Sequence, residues 1–377
     1  MAVERTDQLE REQALANQYT PLLVLYPEIS SDTRTVREDW EKLGVPPLHE
    51  DYHPRDVKLV LDHSRMPGWR IPRGMPVHRG DELVEEMQKN SADRIDILAG
   101  TRPDQRAKFW AEYYRIVHNK DGHDHGTYPC QTYVHIVDGE KLADATPENE
   151  SLSLYRGLIA IEYWLFYLYN DWKSPHEGDW ELIVVLLKKP SESGGRHEPI
   201  GCAYSAHHGG YRLPWRQVEK VDGEKRTTGE SNHPVVYVAN GSHANYFYGP
   251  GRFVTSTKLF GLTVAGDGFP FVGDFVDFTT AFEKDRAVFP EPKVVPPSVD
   301  RRWADDAWRW LNFRGEWGSQ GVPRALRWLP SSLRSRLFGS IWGAPGSLPN
   351  RRNWSDPFTW TDRECEEAPP NSWLAMQ

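Results

Sequence analysis

At 377 residues, with 38% hydrophobic and 26% charged residues, the chain has room for two or three domains and enough apolar content for a sizeable core, which argues against wholesale disorder. Its 45 Lys and Arg against 54 Asp and Glu give a net charge of −9, not the basic excess of a dedicated nucleic-acid binder. Three scattered cysteines (Cys130, Cys202, Cys365) without a CxxC pair argue against both a disulfide framework and a thiolate zinc site.

In chain order, residues 4–18 are charged and helix-prone. Leu22 to Tyr26, apolar and closed by Pro27, is expected to be a short buried strand. A Pro-, Asp- and Glu-rich excursion over 27–56 precedes a second expected strand at Lys58 to Leu61. Helices are expected at Asp81 to Lys89 and Pro103 to Val117, the latter opening on proline. The pattern then turns to strands at Thr132–Val137, Ile161–Tyr169, Trp180–Lys188 and Pro234–Ala239, all β-branched or aromatic and separated by Gly- and Pro-rich turns. On Ile161–Tyr169, Tyr163, Leu165, Tyr167 and Tyr169 share one face with Ile161, while Trp164, Phe166 and Leu168 take the other, so both faces should be covered. With no βαβ alternation and no phosphate-binding glycine loop, the expected fold is mainly β: an antiparallel β-sandwich with peripheral helices at the N-terminus, at 81–117 and at 300–342. Three units follow: a helical extension over 1–18, the sandwich over 19–300, and an Arg/Trp-rich segment over 301–377.

Within that last segment, residues 301–352 hold ten arginines and no lysine against Asp305, Asp306 and Glu316, so it is locally about +7. Trp303, Trp308, Trp310, Trp328 and Trp342 are interleaved with the arginines. Either this is a basic amphipathic element making peripheral contact with an anionic membrane, or its tryptophans pack on the sheet with the arginines outward. No run of 18 apolar residues is present, so no helix is expected to span a membrane. The charged opening MAVERTDQLEREQ lacks the apolar core of a signal peptide, which makes the cytoplasm the expected compartment.

The densest chemistry lies in NDWKSPHEGDWE, residues 170–181. Asp179 and Glu181, two apart at a strand start, point to one face; Asp171 ends the preceding strand, and His176 is placed in the loop between. Three carboxylates and an imidazole gathered at one sheet end are costly unless something positive neutralises them. One divalent cation would do so; oxygen-rich donors favour Mg²⁺, Ca²⁺ or Mn²⁺, with Zn²⁺ and Fe²⁺ open. A salt-bridged hairpin with Arg or Lys is the plainer alternative. Nearby in pattern, SAHHGG (205–210) and GSHANY (241–246) offer His207, His208, Ser242, His243, Asn245 and Tyr246. His208 or His243 would complete the coordination, serve as acid or base, or simply hydrogen-bond a turn. His118, His123 and His125 with Asp121 and Asp124 are expected to form a solvated loop.

HEGDWE, with YWLFYLYNDW before it and LIVVLL after, resembles the vacuolar protein sorting-associated sixty-two family, as do HPVVYVANGSHANYFYGPG (233–251), the opening YTPLLVLYPE and DYHPRDVKLVL, and the closing FRGEWG and GAPGSLPNRRNWSDPFTW. The His-x-x-Asp-Trp-Glu core is more distantly similar to the necrosis- and ethylene-inducing peptide-like proteins. That second resemblance implies a β-sandwich holding a divalent cation in an acidic cleft that binds sphingolipid head groups. It implies His176, Asp179 and Glu181 as ligands, with Asp171 as the upstream aspartate across a shorter spacer. Two functions are therefore expected. One is cation-dependent binding of an anionic or polyhydroxylated small molecule or lipid head group, with His207, Ser242, Asn245, Tyr246 and Trp180 lining the ligand. The other is a metal-dependent enzyme of hydrolase, lyase or cyclase type, with His208 or His243 as the catalytic acid or base.

Overall fold

The computed structural model describes residues 2–25, 53–63, 94–95, 97, 106–118, 126–170, 176–192, 195–206, 209–221, 232–239, 242–247, 256–259, 262–265, 287–298, 302–318 and 348–368. In chain order the elements are α1 (Ala2–Gln18), β1 (Leu22–Val24), α2 (Lys58–His63), β2 (Arg94–Ile95), α3 (Arg106–Val117), β3 (Gln131–Asp138), α4 (Gly139–Ala145), β4 (Leu158–Asn170), β5 (His176–Lys188), β6 (Glu198–Ala206), β7 (Gly209–Pro214), β8 (Lys220–Val221), β9 (His233–Val238), β10 (Asn245–Tyr246), the hairpin β11 (Ser256–Leu259) and β12 (Leu262–Ala265), β13 (Ala287–Val288), β14 (Glu291–Val294), β15 (Glu316–Trp317), α5 (Arg352–Ser355) and β16 (Cys365–Glu367).

A seven-stranded sheet runs β14-β3-β4-β5-β6-β7-β16, and a smaller sheet runs β10-β9-β1-β13 with β8 beside β9. The long meander β3 to β7 is antiparallel, whereas its edges β14 and β16 and the β1–β9 pair are parallel. The sandwich is therefore mixed at its margins, where short strands return from distant parts of the chain. Ile161, Tyr163, Leu165 and Tyr167 of β4, with Ile183 and Val185 of β5, pack with Leu23, Leu25, Val236 and Val238 into one apolar cluster between the sheets. The opposite face of the large sheet (Trp164, Phe166, Leu168, Trp180, Leu182, Val184) packs against Tyr113, Ile116 and Val117 of α3 and against Trp308, Trp310, Phe313, Trp317, Trp354, Phe358 and Trp360. Both faces of β4 are covered, as its apolar and aromatic run from Tyr163 to Tyr169 requires. Tyr169 departs from the expected alternation and joins the outer cluster.

Three local expectations change. Lys58 to Leu61 is helical rather than extended, because Asp56 Oδ1 accepts from the Lys58 N–H at 2.9 Å and starts a turn. Within 81–117, Arg94–Ile95 is a strand paired with β15, so the helix there is confined to α3 among the described residues. Residues 302–318 of the expected C-terminal helical segment form a short 3₁₀ turn and β15. The Asp81–Lys89 helix and Trp328, Arg334, Arg336 and Trp342 lie outside the described residues. Trp308 and Trp310 are buried on the sheet while Arg302 and Arg314 are exposed, which is the packed arrangement. Helix α1 closes one edge: Gln13 donates to the Pro292 carbonyl at 2.8 Å and accepts from the Val294 N–H at 3.3 Å, hydrogen-bonding β14 as a further strand would. Among the described residues no helix is long and apolar enough to cross a membrane.

Candidate functional site

Antiparallel register places Tyr167 opposite Asp179 and Leu165 opposite Glu181. Directly opposed residues share a face, so both carboxylates point between the sheets, where Tyr167 and Leu165 also lie. Both are buried, with 8% of each residue exposed. Gly178 adopts φ +66° between Glu177 and Asp179. A left-handed residue in a strand breaks the alternation of faces. As a result Glu177 turns to the outer face, where its Oε2 accepts from the Ile97 N–H at 3.2 Å, and His176 comes round to Asp179. Only glycine fits there: a Cβ would sit 2.4 Å from the Trp317 carbonyl oxygen. His176 thus opens β5 instead of lying in a loop.

Asp179 is the hub. Its Oδ2 accepts from Asn170 Nδ2 at 2.8 Å and lies 3.0 Å from His243 Nδ1, while its Oδ1 is 3.5 Å from His176 Nε2. Asn170 Nδ2 also reaches the Ser242 carbonyl at 3.2 Å, tying the end of β4 to the loop after β9. His243 has φ +59° and stacks on Tyr167 with ring centres 3.9 Å apart. A left-handed non-glycine residue costs of order 1 kcal/mol and persists where its surroundings fix it; the ring stack and the Asp179 contact do so here. Burial works to raise the Asp179 pKa, but hydrogen bonds from His176 and His243 outweigh it and hold the group well below the ordinary carboxylate range.

Glu181 behaves oppositely. Burial, then the Asp179 charge, push its carboxyl well above the ordinary value, against smaller pulls from the Ser205 hydrogen bond, His243 and Arg351. The Ser205 hydroxyl donates to Glu181 Oε2, accepts from the Leu182 N–H at 2.8 Å, and lies 3.4 Å from Asn245 Nδ2. Asn245 is fully buried, and its Oδ1 has no hydrogen-bond partner among the described residues. Buried amide oxygens are rarely left so, and each deserves a physical reason.

Of the expected site residues, His176, Asp179, Glu181, Ser242, His243 and Asn245 are brought to one end of the sandwich. Trp180 is not: lying between Asp179 and Glu181, it points to the outer face and packs on Phe166 and Trp310, with centroids 4.8 and 5.9 Å away. Tyr246 packs in a separate cluster with Tyr237, Ala206 and Val24. Asp171, His207, His208, His123, His125, Asp121 and Asp124 lie outside the described residues, and His118 stacks on Tyr114 at 4.3 Å. Asn170, Ser205 and Arg351 were not among the expected site residues. Asn170 and Ser205 sit at strand ends beside the motifs, whereas Arg351, packed 5.9 Å over Trp164 on the outer face, carries no sequence signal.

A cation was expected here. The donor chemistry fits a hard ion: two carboxylates, an amide oxygen without a partner, and imidazoles. Among the described residues, however, no three His, Cys, Asp or Glu side chains converge closely enough to hold a metal by themselves.

No protein-family model matches the chain, and no curated protein matches it. Among solved structures it is similar to a non-toxic HaNLP3 protein, at 18% identity and TM-score 0.19 over 29% of this chain and 40% of that one. It is also similar to Necrosis and Ethylene inducing Protein 2 from the causal agent of cocoa's Witches Broom disease, at 21% identity and TM-score 0.20 over 32% of this chain and 45% of that one. The matched segments span less than half of either protein, and overlaps this slight carry no argument about function.

Proposed function

We propose that the end of the sandwich around Asp179 and Glu181 binds one divalent cation, Mg²⁺, Ca²⁺ or Mn²⁺ before Zn²⁺ or Fe²⁺, and with it an anionic or polyhydroxylated small molecule or lipid head group. The observation that supports it is the pairing of two buried carboxylates on one face with the unpartnered Asn245 oxygen beside them. Asp179 and Glu181 would hold the ion, with His176, Asn245 and Asp171 as further donors. The ion would supply the positive charge that a negatively charged or hydroxyl-rich ligand needs. Asn170 and Ser205 hold the two carboxylates in place, and Tyr167 with the aliphatic core behind it keeps water from one side.

One observation favours the enzymatic reading as well. His243 Nδ1 faces the Asp179 carboxylate, the contact by which an imidazole's tautomer and direction are fixed for acid–base work. In that reading the reaction belongs to the hydrolase, lyase or cyclase types. Mn²⁺ added to chelator-treated protein tests both, by electron paramagnetic resonance for binding and water-proton relaxation for open positions. One bound ion with exchangeable water supports catalysis and one without it supports binding. No bound ion removes both.

A further inference from the structure

On the outer face, away from the carboxylate site, β3 and β4 place His135 opposite Glu162. His135 Nδ1 lies 2.6 Å from Glu162 Oε2, and Glu162 is wholly buried near the middle of the large sheet. The imidazole, 27% exposed, stacks on Trp354 of α5 with ring centres 4.2 Å apart and planes 6° apart. The Trp354 backbone also hydrogen-bonds the ring. The pair is thus capped by the C-terminal segment 348–364, which continues through Arg351 over Trp164 and Phe358 stacked 5.1 Å from Tyr155.

We propose that the His135–Glu162 pair is a pH-dependent latch for segment 348–364, which is held most tightly in mildly acidic solution and loosens as the pH rises above neutrality.

The contact at 2.6 Å needs one proton between nitrogen and oxygen, whichever atom carries it. Two protons leave a half-buried cation and none leaves a wholly buried carboxylate; both are costly in this setting, the second more so. Burial lowers the His135 pKa to about 4, against the hydrogen bond that the ring donates to the Trp354 backbone carbonyl. Burial likewise pushes Glu162 well above its ordinary value, with Asp356 pushing the same way and Trp164 opposing. The groups facing the pair are the Trp164 indole on β4 and, on the segment, Trp354 and Asp356; Val184, opposite Glu162 on β5, is uncharged. Arg352 on the same segment is turned to Glu364 at 2.9 Å. Asp356 gives the latch its direction. It belongs to the segment itself, where it accepts from the Thr359 N–H at 3.0 Å, so a charged Glu162 repels the element that covers it.

Once the segment lifts, the two groups return towards their ordinary values, 6.5 for the imidazole and 4.5 for the carboxyl. Between those values docked and lifted states each hold one proton, so docking is independent of pH. Above 6.5 the lifted state holds none and the docked state still holds one. Docking then weakens by up to about tenfold per pH unit, until Glu162 ionises in place. Between about 4.5 and 4 the lifted state holds two protons, and docking weakens as the pH falls.

Hydrogen exchange of peptides from 348–364 tests this in the full chain. Parent and Glu162→Gln are compared at the same pH, at 5.5, 7.0 and 8.5, so the intrinsic pH dependence of exchange cancels. Glutamine keeps a donor towards the imidazole and cannot ionise. The segment's exchange in the parent, relative to the variant, should rise by about tenfold or more from pH 7.0 to 8.5. A ratio that stays constant or falls overturns the latch. Should Glu162→Gln not fold, His135→Gln replaces it: loosening should then set in above about pH 4.5 instead of 6.5, and an unchanged onset also overturns it.

Discussion

His176 and Asp179 meet at 3.5 Å although three residues apart on one strand, a spacing that a regular strand sends to opposite faces. The left-handed Gly178 between them is what reverses the alternation. Gly178→Ala therefore puts a methyl group against the Trp317 carbonyl as well as into an unfavourable backbone region. It should cost more than about 2 kcal/mol in urea denaturation and weaken cation binding. Unchanged stability would mean that the backbone turn is incidental.

Proton uptake should accompany the loss of the cation. Glu181 holds its proton above the ordinary 4.5 because burial and Asp179 disfavour its charge, so below its raised pKa a proton competes with the ion. Cation affinity should rise with pH through that range, and titration calorimetry in buffers of different ionisation enthalpy should register proton release. No released proton, with affinity flat in pH, would exclude Glu181 as a ligand.

Much of this arrangement is legible before any coordinates. The alternation in Ile161–Tyr169 shows a strand covered on both faces, and the two-residue spacing puts Asp179 and Glu181 on one face; that this is the face towards the second sheet comes from the β4–β5 register. What the residues do not disclose is which loops fold over that end. Asn170 and Ser205 act by reaching elements 72 and 24 residues away, and Arg351 arrives from the far side of the sheet. Tertiary contacts of that range leave no local pattern. The short helix at Lys58–His63 shows the converse, where the apolar triplet Leu59–Leu61 reads as a strand until the preceding aspartate caps it.

Arg351 opposes the proposed cation, since its charge acts on both Asp179 and Glu181. Arg351→Met replaces the guanidinium, whose Cζ lies over Trp164, by an uncharged group long enough to pack on the same ring. Cation affinity should rise severalfold, more at low salt than at high. An unchanged or weaker affinity would show that Arg351 supports the site by packing alone.

Trp308, 8% exposed and edge-on to Tyr133 at 6.0 Å, should cost about 3–5 kcal/mol when replaced by alanine, read as a shift in the urea midpoint. The membrane contact that the sequence offers as the alternative for 301–352 is separable from this packing. Exposed Arg302 and Arg314 replaced together by glutamate should abolish salt-sensitive co-sedimentation with anionic vesicles while leaving that midpoint in place. Failure of the parent to sediment at low salt would discard the contact.

Calorimetric titration of Ca²⁺, Mg²⁺, Mn²⁺ and Zn²⁺ into chelator-treated protein tests the central claim most directly, with the parent beside Asp179→Asn and Glu181→Gln. Both variants keep the size of the originals, and the remaining amide oxygen can still accept from Asn170 or from Ser205, so a folded protein is expected in each. The account predicts one ion per parent chain and at least about tenfold weaker binding in either variant, because losing a direct ligand's charge should cost no less than losing an outer partner of a ligand. Equal binding by all three proteins, or none by the parent, would contradict it.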